Sequence, residues 1–101
     1  MQEKVKRFVE ENKLQMSPEH AALDLISELG EVAKEILKAT DYGRHPPKKR
    51  EEIKSELGDA LYSLINLANT LNVDIEEALE LAMEKYKKRI QKGSTPDSRN
   101  E

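Results

Sequence analysis

A five-residue stretch that occurs twice constrains the fold of this chain more than any other feature. Residues 27–31 read Ser-Glu-Leu-Gly-Glu, and residues 55–59 read Ser-Glu-Leu-Gly-Asp. Each copy has two carboxylates three residues apart, which on a helix share one face, one turn apart. Two such helices packed side by side would gather four carboxylates, and such a cluster is unfavourable unless a cation holds it. The four are Glu28, Glu31, Glu56 and Asp59.

Size and composition favour one small domain that associates with copies of itself. At 101 residues the chain has the length of a single domain, and only 4% of it is aromatic, so its core is lean. We therefore expect a homo-oligomer. The absence of cysteine excludes disulfides and thiol chemistry.

Charge and hydropathy argue against two classes of partner. The net charge is −3 with both signs mixed, which speaks against nucleic acid. No apolar run reaches membrane-spanning length, and residues 1–7 lack the apolar core of a signal peptide. We expect a cytoplasmic protein with no membrane partner.

Start and stop signals predict helices throughout and no strand. Ser17 followed by Pro18 is typical of a helix start, Asp74 with Glu77 resembles a capping box, and Gly93 is a stop signal. We predict an all-α bundle of one short N-terminal helix and three long helices, over residues 2–12, 18–39, 49–71 and 75–91. The single domain covers residues 1–91, and residues 92–101 are interpreted as a disordered polar tail.

The second helix separates apolar from acidic residues. Its apolar residues between Leu25 and Leu37 share one broad side, and an acidic arc lies opposite. No basic residue occurs from Ala21 to Ala33, although a solvated helix face normally interleaves Lys with Glu. The arc therefore fits either a solvent-facing stripe or a cation site. Its members are Asp24, Glu28, Glu31 and Glu35.

The third helix favours the cation site. From Ala60 to Val73 there are 14 uncharged residues in a chain that is 37% charged, which predicts burial and leaves Asp59 at the edge in need of a partner. Gly30 and Gly58 each cost about 1 kcal/mol inside a helix relative to alanine. They indicate a close approach to the backbone, by a ligand or by a neighbouring helix.

The fourth helix supplies two positively charged side chains. Arg89 projects within its apolar side and Lys85 lies at the border one turn earlier, which fits either snorkelling or an anion clamp. All-oxygen carboxylate clusters suit Mg²⁺ or Mn²⁺, and Mg²⁺ usually recruits substrate phosphates. Together these features favour a phosphate ester or anhydride as substrate. The basic cluster at residues 48–50 is interpreted as a solvated helix start.

These residues resemble the MazG-like all-α nucleoside triphosphate pyrophosphohydrolases. That family has Glu-x-x-Glu on one helix and Glu-x-x-Asp on the next, here at residues 28–31 and 56–59. The resemblance continues through the segments at 56–68, 73–79 and 85–89, and it spans roughly residues 22–91.

The resemblance implies a function and a site. The four acids would hold Mg²⁺, with Mn²⁺ as a substitute, and would form the catalytic site. Lys85, Arg89 and Asn66 would contact the nucleotide, and water would cleave the α–β phosphoanhydride to give a monophosphate and pyrophosphate. Relatives assemble as homodimers or homotetramers.

Two departures leave the substrate open. Many relatives have an additional acid where this chain has Ser27, and relatives specific for pyrimidine deoxynucleotides stack the base on Trp, which this chain lacks. Tyr42 and Tyr62 are the nearby aromatic residues that could contact the base instead, and we select Tyr42 as a substrate-binding residue. The alternatives are a phosphoribosyl-ATP pyrophosphohydrolase and a catalytically silent oligomer that binds nucleotides or a protein.

Overall fold

The computed structural model describes residues 1–93, and all regular structure within them is helical. The predicted polar tail therefore lies, from residue 94 onward, outside the described residues. The four helices begin and end within two residues of their predicted limits. They are α1 (Gln2–Glu11), α2 (Pro18–Ala39), α3 (Glu51–Thr70) and α4 (Ile75–Gln91).

Side-chain caps set the starts of α2 and α4. The Ser17 hydroxyl accepts a hydrogen bond from the His20 amide at 3.1 Å, and Pro18 occupies the first helical position. The Asp74 carboxylate accepts from the amides of Glu76 and Glu77 at 3.0 and 3.1 Å. Each cap of this kind contributes about 1 kcal/mol. These contacts explain why sequence signals located both helix starts.

Helices α2 and α3 form the main packed pair, and α1 packs on α3. The core between them is made mostly of small side chains, and Ile65 is the only large side chain in residues 1–93 that is fully buried. The uncharged half of α3, predicted to be buried, is buried on one side only, since Leu61, Leu64 and Leu71 are exposed. The buried apolar residues are Val9, Ala21, Ala39, Ala60, Ile65 and Ala68.

The acidic arc of α2, rather than its aliphatic side, lies toward α3. The sequence left this arc as either a solvent-facing stripe or a cation site. In the structure Glu35 is buried and Glu28 is half-buried, while Ile26 and Leu29 are more than half exposed. The aliphatic residues are left open because none of the other residues within 1–93 covers them.

This open surface continues from α2 onto α3. We call it the aliphatic face; each of its members exposes between 39% and 66% of its area. It comprises Ile26, Leu29, Ile36 and Leu37 of α2 with Leu57, Leu61 and Leu64 of α3. An exposed apolar surface of this extent is typical of a protein–protein contact.

Helix α4 extends from the pair as an arm. It has no buried residue and packs closely against none of the other described helices. Its predicted inward side is open, since Leu79 is 57% and Ile90 58% exposed. The arm is attached at its base by Gln2, whose amide nitrogen donates to Asn69 at 2.9 Å and whose oxygen accepts from the Ile75 amide at 2.9 Å.

The expected close approach at the two helical glycines is absent within the described chain. A methyl group added at Gly30 or Gly58 would meet no atom within 4 Å. Whatever approaches these backbones is therefore not part of residues 1–93.

Candidate functional site: an acidic cluster between two helices

Three carboxylates meet where α2 and α3 pack together. One oxygen from each of Glu28, Glu56 and Asp59 lies within 4.8 Å of the others. Glu56 and Asp59 share a face of α3 because they are one turn apart, and the packing of α2 brings Glu28 beside them. Glu28 and Glu56 are half-buried, whereas Asp59 is exposed. We call these three residues the acidic cluster.

The acidic cluster has an unfavourable charge balance. The pKa of Glu56 is raised above its ordinary value of 4.5, first by desolvation and then by the charges of nearby carboxylates. In order of decreasing effect these are Asp59, Glu31, Glu28 and Glu35. The ion pairs within residues 1–93 include none of the three cluster residues.

The donor set fits a hard divalent cation. Three carboxylates whose oxygens lie within 4.8 Å of one another offer only oxygen, the ligand that Mg²⁺ and Mn²⁺ prefer. A cation placed there would offset the repulsion that raises the pKa of Glu56. The site contributes few protein ligands, which leaves coordination positions for water and phosphate oxygens.

Glu31 lies at the rim of the cluster. The sequence grouped four carboxylates, but in the structure Glu31 is exposed and is not among the three that converge. The charge of Glu31 nevertheless raises the pKa of Glu56 more than the charge of Glu28 does. Glu31 is thus close enough to act on the site without belonging to its centre.

Asn66 lies in a cleft between α1 and α3. It is seven residues beyond Asp59, or about 10 Å along the helix, and only 6% of its surface is exposed. The cleft has a volume of about 230 Å³ and is lined partly by amide and hydroxyl groups. Its walls comprise Lys6, Val9, Glu10, Gln15, Met16, Pro18, Asn66, Asn69 and Thr70.

Tyr42 lies at the opposite end of the helix pair. It belongs to the loop after α2, has a positive φ of 58° and is 72% exposed. Because Glu28 meets Asp59 while Glu35 meets Arg50 at the start of α3, the two helices run antiparallel. Tyr42 and Asn66 are therefore on opposite sides of the acidic cluster and cannot line one pocket within a single chain.

Lys85 and Arg89 each lie near the same aromatic ring of α4. The Lys85 ammonium lies 5.4 Å and the Arg89 guanidinium carbon 5.6 Å from the centre of the Tyr86 ring. Both residues stand on the α4 arm, which packs closely against neither α2 nor α3. The structure thus pairs the two cations without packing their helix against the acidic cluster.

Sequence reasoning missed an ion pair beside the cluster. Arg50 was assigned to a solvated helix start, yet its Nη2 lies 3.2 Å from Glu35 and its side chain is 33% exposed. Glu35 was grouped with the acidic arc, as either a solvent-facing or a cation-site residue, yet it is buried against Arg50. The available signal was that Glu35 follows Glu28 by seven residues and so shares its helix face.

A family model for the MazG nucleotide pyrophosphohydrolase domain matches residues 16–94. The chain belongs to the MazG family. This assignment confirms the family resemblance found in the sequence. Within residues 1–93, no helix of this MazG domain has both the length and the apolar character needed to cross a membrane.

Two relatives similar in sequence are longer proteins. The uncharacterized protein YpjD of Bacillus subtilis is 43% identical over 64% of this chain and 60% of its own length. The nucleoside triphosphate pyrophosphohydrolase/pyrophosphatase MazG of Thermotoga maritima is 44% identical over 45% of this chain and 18% of its own length. The chain therefore spans less than two thirds of either relative.

Two solved structures share the MazG fold along most of the chain. A Bacillus-conserved MazG protein, a nucleotide pyrophosphohydrolase, has a TM-score of 0.71 and 33% identity, covering 85% of this chain and 84% of that one. The YpjD structure from Bacillus subtilis has a TM-score of 0.71 and 37% identity, covering 87% and 90%.

Proposed function

We propose that this protein is a Mg²⁺-dependent nucleotide pyrophosphohydrolase that cleaves a nucleoside triphosphate to the monophosphate and pyrophosphate. The observation that carries the proposal is the convergence of Glu28, Glu56 and Asp59 in a MazG domain. Three carboxylates that lack an ion-pair partner within residues 1–93 need a cation, and a nucleotide brings phosphate oxygens that complete the shell of Mg²⁺.

The bound cation would supply positive charge against the phosphates and would acidify a nearby water. The chain's own groups have complementary tasks. Glu28, Glu56 and Asp59 hold the cation, with Mn²⁺ as a substitute for Mg²⁺. Glu31, at the rim, is placed to accept the proton that the water loses, or to complete the ligand set. The water oxygen bonds to phosphorus as the bridging bond breaks, and pyrophosphate leaves.

The nucleoside would occupy the cleft between α1 and α3. The cleft is on the same helix as Glu56 and Asp59 and lies about 10 Å further along it, a distance that the sugar and base can span. The nearly buried Asn66 amide carries both a donor and an acceptor for a base edge or a sugar hydroxyl. Tyr42, at the opposite end of the pair, would reach a nucleotide only from a neighbouring chain.

A second copy of the chain would complete the site. The aliphatic face of α2 and α3 is open, and so are apolar residues of the α4 arm such as Leu79 and Ile90. Laying the arm of one copy on the aliphatic face of another buries both. The same contact would bring Lys85 and Arg89 toward an acidic cluster, where they bind the substrate phosphates. We therefore propose a homodimer or a homotetramer as the active form, located with its nucleotide substrate in the cytoplasm.

A substrate panel tests this proposal. Pyrophosphate release would be measured for ATP, dCTP, dUTP and phosphoribosyl-ATP, each with Mg²⁺ and with a chelator. We expect Mg²⁺-dependent release from at least one nucleoside triphosphate. Release from phosphoribosyl-ATP alone would reassign the substrate, and nucleotide binding with no release at any metal concentration would identify a silent binding protein.

A further inference from the structure

The base of the α4 arm is held by a side chain that is distant in sequence. Gln2 is the first residue of α1, and its side-chain amide makes three hydrogen bonds at the turn between α3 and α4. Its nitrogen donates to the Asn69 side chain at 2.9 Å and to the Val73 carbonyl at 2.7 Å. Its oxygen accepts from the amide of Ile75, the first residue of α4, at 2.9 Å. Gln2 therefore joins α1 to the end of α3 and to the start of α4.

The contacts of Gln2 differ in range from the other contacts at this helix start. The Asp74 carboxylate caps the amides of Glu76 and Glu77, two and three residues away, so it fixes the first turn of α4 but not the direction of the helix. The partners of Gln2 are 67, 71 and 73 residues away in sequence. Because these bonds connect separate helices, they determine how α4 lies relative to α1 and α3.

The turn before α4 does not fix that direction by itself. Asn72 has a positive φ of 54°, in the left-handed region that asparagine adopts at little cost. Its amide donates to the Asn69 carbonyl at 3.2 Å, and the Val73 amide donates back to α3 at 2.9 Å. These bonds close the end of α3 and stop at residue 73. Since α4 packs closely against none of the other described helices, the polar contacts at its base carry much of its orientation within one chain.

The length of the arm amplifies any change at its base. Arg89 is 14 residues beyond Ile75, which corresponds to about 21 Å along the helix, and Lys85 is about 15 Å from the base. A tilt of about 10° at the base therefore moves the backbone at Arg89 by roughly 4 Å. A misplacement of about 1 Å in a group that positions a substrate can already lower a rate by about 10²-fold.

We propose that Gln2 is a positioning residue that sets the direction of the α4 arm and so places Lys85 and Arg89 for the substrate phosphates. This inference rests on the proposed function, in which those two cations bind phosphate. It differs from a purely structural role, in which Gln2 would only satisfy the start of α4 and add to the stability of the chain. A structural role predicts a lower melting temperature with the arm in the same place.

The first test is the distance between α2 and α4 in solution. The chain has no cysteine, so Lys34→Cys and Lys87→Cys, at exposed positions on the two helices, would carry the only nitroxide labels. Labelled chains are diluted with excess unlabelled protein, and the distance distribution is measured by double electron–electron resonance. We expect one narrow distribution with Gln2 present. Gln2→Met, which keeps the side-chain length and the helix propensity but removes the hydrogen bonds, should give a broader or shifted distribution. An unchanged distribution in folded Gln2→Met would overturn the inference.

The second test is kinetic. Gln2→Met should lower kcat/KM for nucleotide hydrolysis by a factor between about 10 and 10². Mn²⁺ binding to the metal-free protein should stay at the wild-type affinity, because the acidic cluster is on α2 and α3. In the double variant with Arg89→Met, the combined loss should be smaller than the product of the two single losses, because both changes act on the same phosphate contact. A combined loss equal to that product would show that Gln2 does not act through the arm.

Two further variants complete the design. Glu3→Ala changes the next residue of α1, which is exposed, and should match the wild type in both measurements. Gln2→Asn is one methylene shorter and cannot reach all three partners, so it should behave like Gln2→Met and decides the question if Gln2→Met fails to fold by circular dichroism. Absence of hydrolysis by the wild type would overturn the proposed function itself, and the distance distribution would still decide whether Gln2 sets the direction of the arm.

Discussion

At the scale of single residues, the site depends on which carboxylates share a centre and which stand at its edge. Glu56 and Asp59 converge because helical geometry places residues i and i+3 together. On α2, the rotation of the helix against α3 decides the outcome, and it turns Glu28 inward and leaves Glu31 at the rim. Glu28 and Glu31 have the same side chain on the same helix, and they are nevertheless expected to have different roles.

This difference gives a first prediction. Asp59→Ala and Glu31→Ala should each abolish measurable turnover, with losses on the order of 10² or more, while far-UV circular dichroism stays unchanged. Only Asp59→Ala should also lose most Mn²⁺ binding, because Asp59 belongs to the centre of the cluster. Substantial residual activity in Asp59→Ala would rule out the carboxylate site, whereas substantial residual activity in Glu31→Ala would remove Glu31 from the catalytic groups.

A second prediction concerns pH. Glu56 has a raised pKa, so the folded metal-free protein favours its protonated form, and folding is opposed as the pH rises through that pKa. Glu56→Gln should therefore raise the melting temperature of metal-free protein at pH 7. The gain should shrink as the pH falls and should vanish well below 4.5, where Glu56 is protonated in both the folded and the unfolded state. A melting temperature that is lowered at pH 7 would contradict this electrostatic picture.

At the scale of the helices, local sequence signals were sufficient to predict where each helix begins and ends. They were insufficient to predict which face of a helix packs against its neighbour. Caps such as Ser17 and Asp74 act within one turn, so the sequence located helix starts directly. Which side of α2 meets α3 depends on packing between distant residues, so the sequence left the acidic arc of α2 as either a solvent-facing stripe or a cation site. The Glu35–Arg50 pair was missed for the same reason, because it joins residues 15 positions apart across two helices.

The α4 arm gives a third prediction. If Lys85 and Arg89 bind phosphates, Arg89→Met should preserve folding and lower kcat/KM by a factor on the order of 10². Arg89→Lys should retain part of the activity, since an ammonium lacks the guanidinium fork. Lys85→Met should resemble Arg89→Met, because both cations flank the Tyr86 ring.

Two variants separate this role from snorkelling along an apolar surface. Lys87→Met removes a neighbouring exposed charge from the same helix and should leave kcat/KM unchanged. An Arg89→Met protein with wild-type kinetics and an equal or higher melting temperature would show that Arg89 only snorkels.

At the scale of the whole molecule, one chain leaves too much apolar surface open to account for an independent fold. Only one large side chain is fully buried in residues 1–93, while the aliphatic face and the arm remain exposed. The sequence indicated association through its low aromatic content and through the wide apolar arcs of the second and third helices, and the structure shows which residues of those arcs are exposed. If the arm of one copy packs on the aliphatic face of another, a single contact covers both surfaces.

Assembly is therefore the fourth prediction. Sedimentation should show a dimer or a tetramer at micromolar concentration. Leu61→Glu, in the aliphatic face, should shift the protein toward monomer and reduce turnover, because a charge in an apolar contact is unfavourable. Arg7→Glu, an exposed position on α1 with a larger change of charge, is the matched control and should stay assembled. A wild-type monomer at this concentration would contradict a site completed by a partner.

The central claim is that the acidic cluster binds a divalent cation and cleaves the α–β bond of a nucleotide. The most direct measurement is the separation of products after metal-free protein is given a nucleoside triphosphate and increasing Mg²⁺. We predict monophosphate and pyrophosphate in equal amounts, rising with Mg²⁺ and absent with Asp59→Ala. Diphosphate with inorganic phosphate as the products, or pyrophosphate release that persists in excess chelator, would contradict the claim.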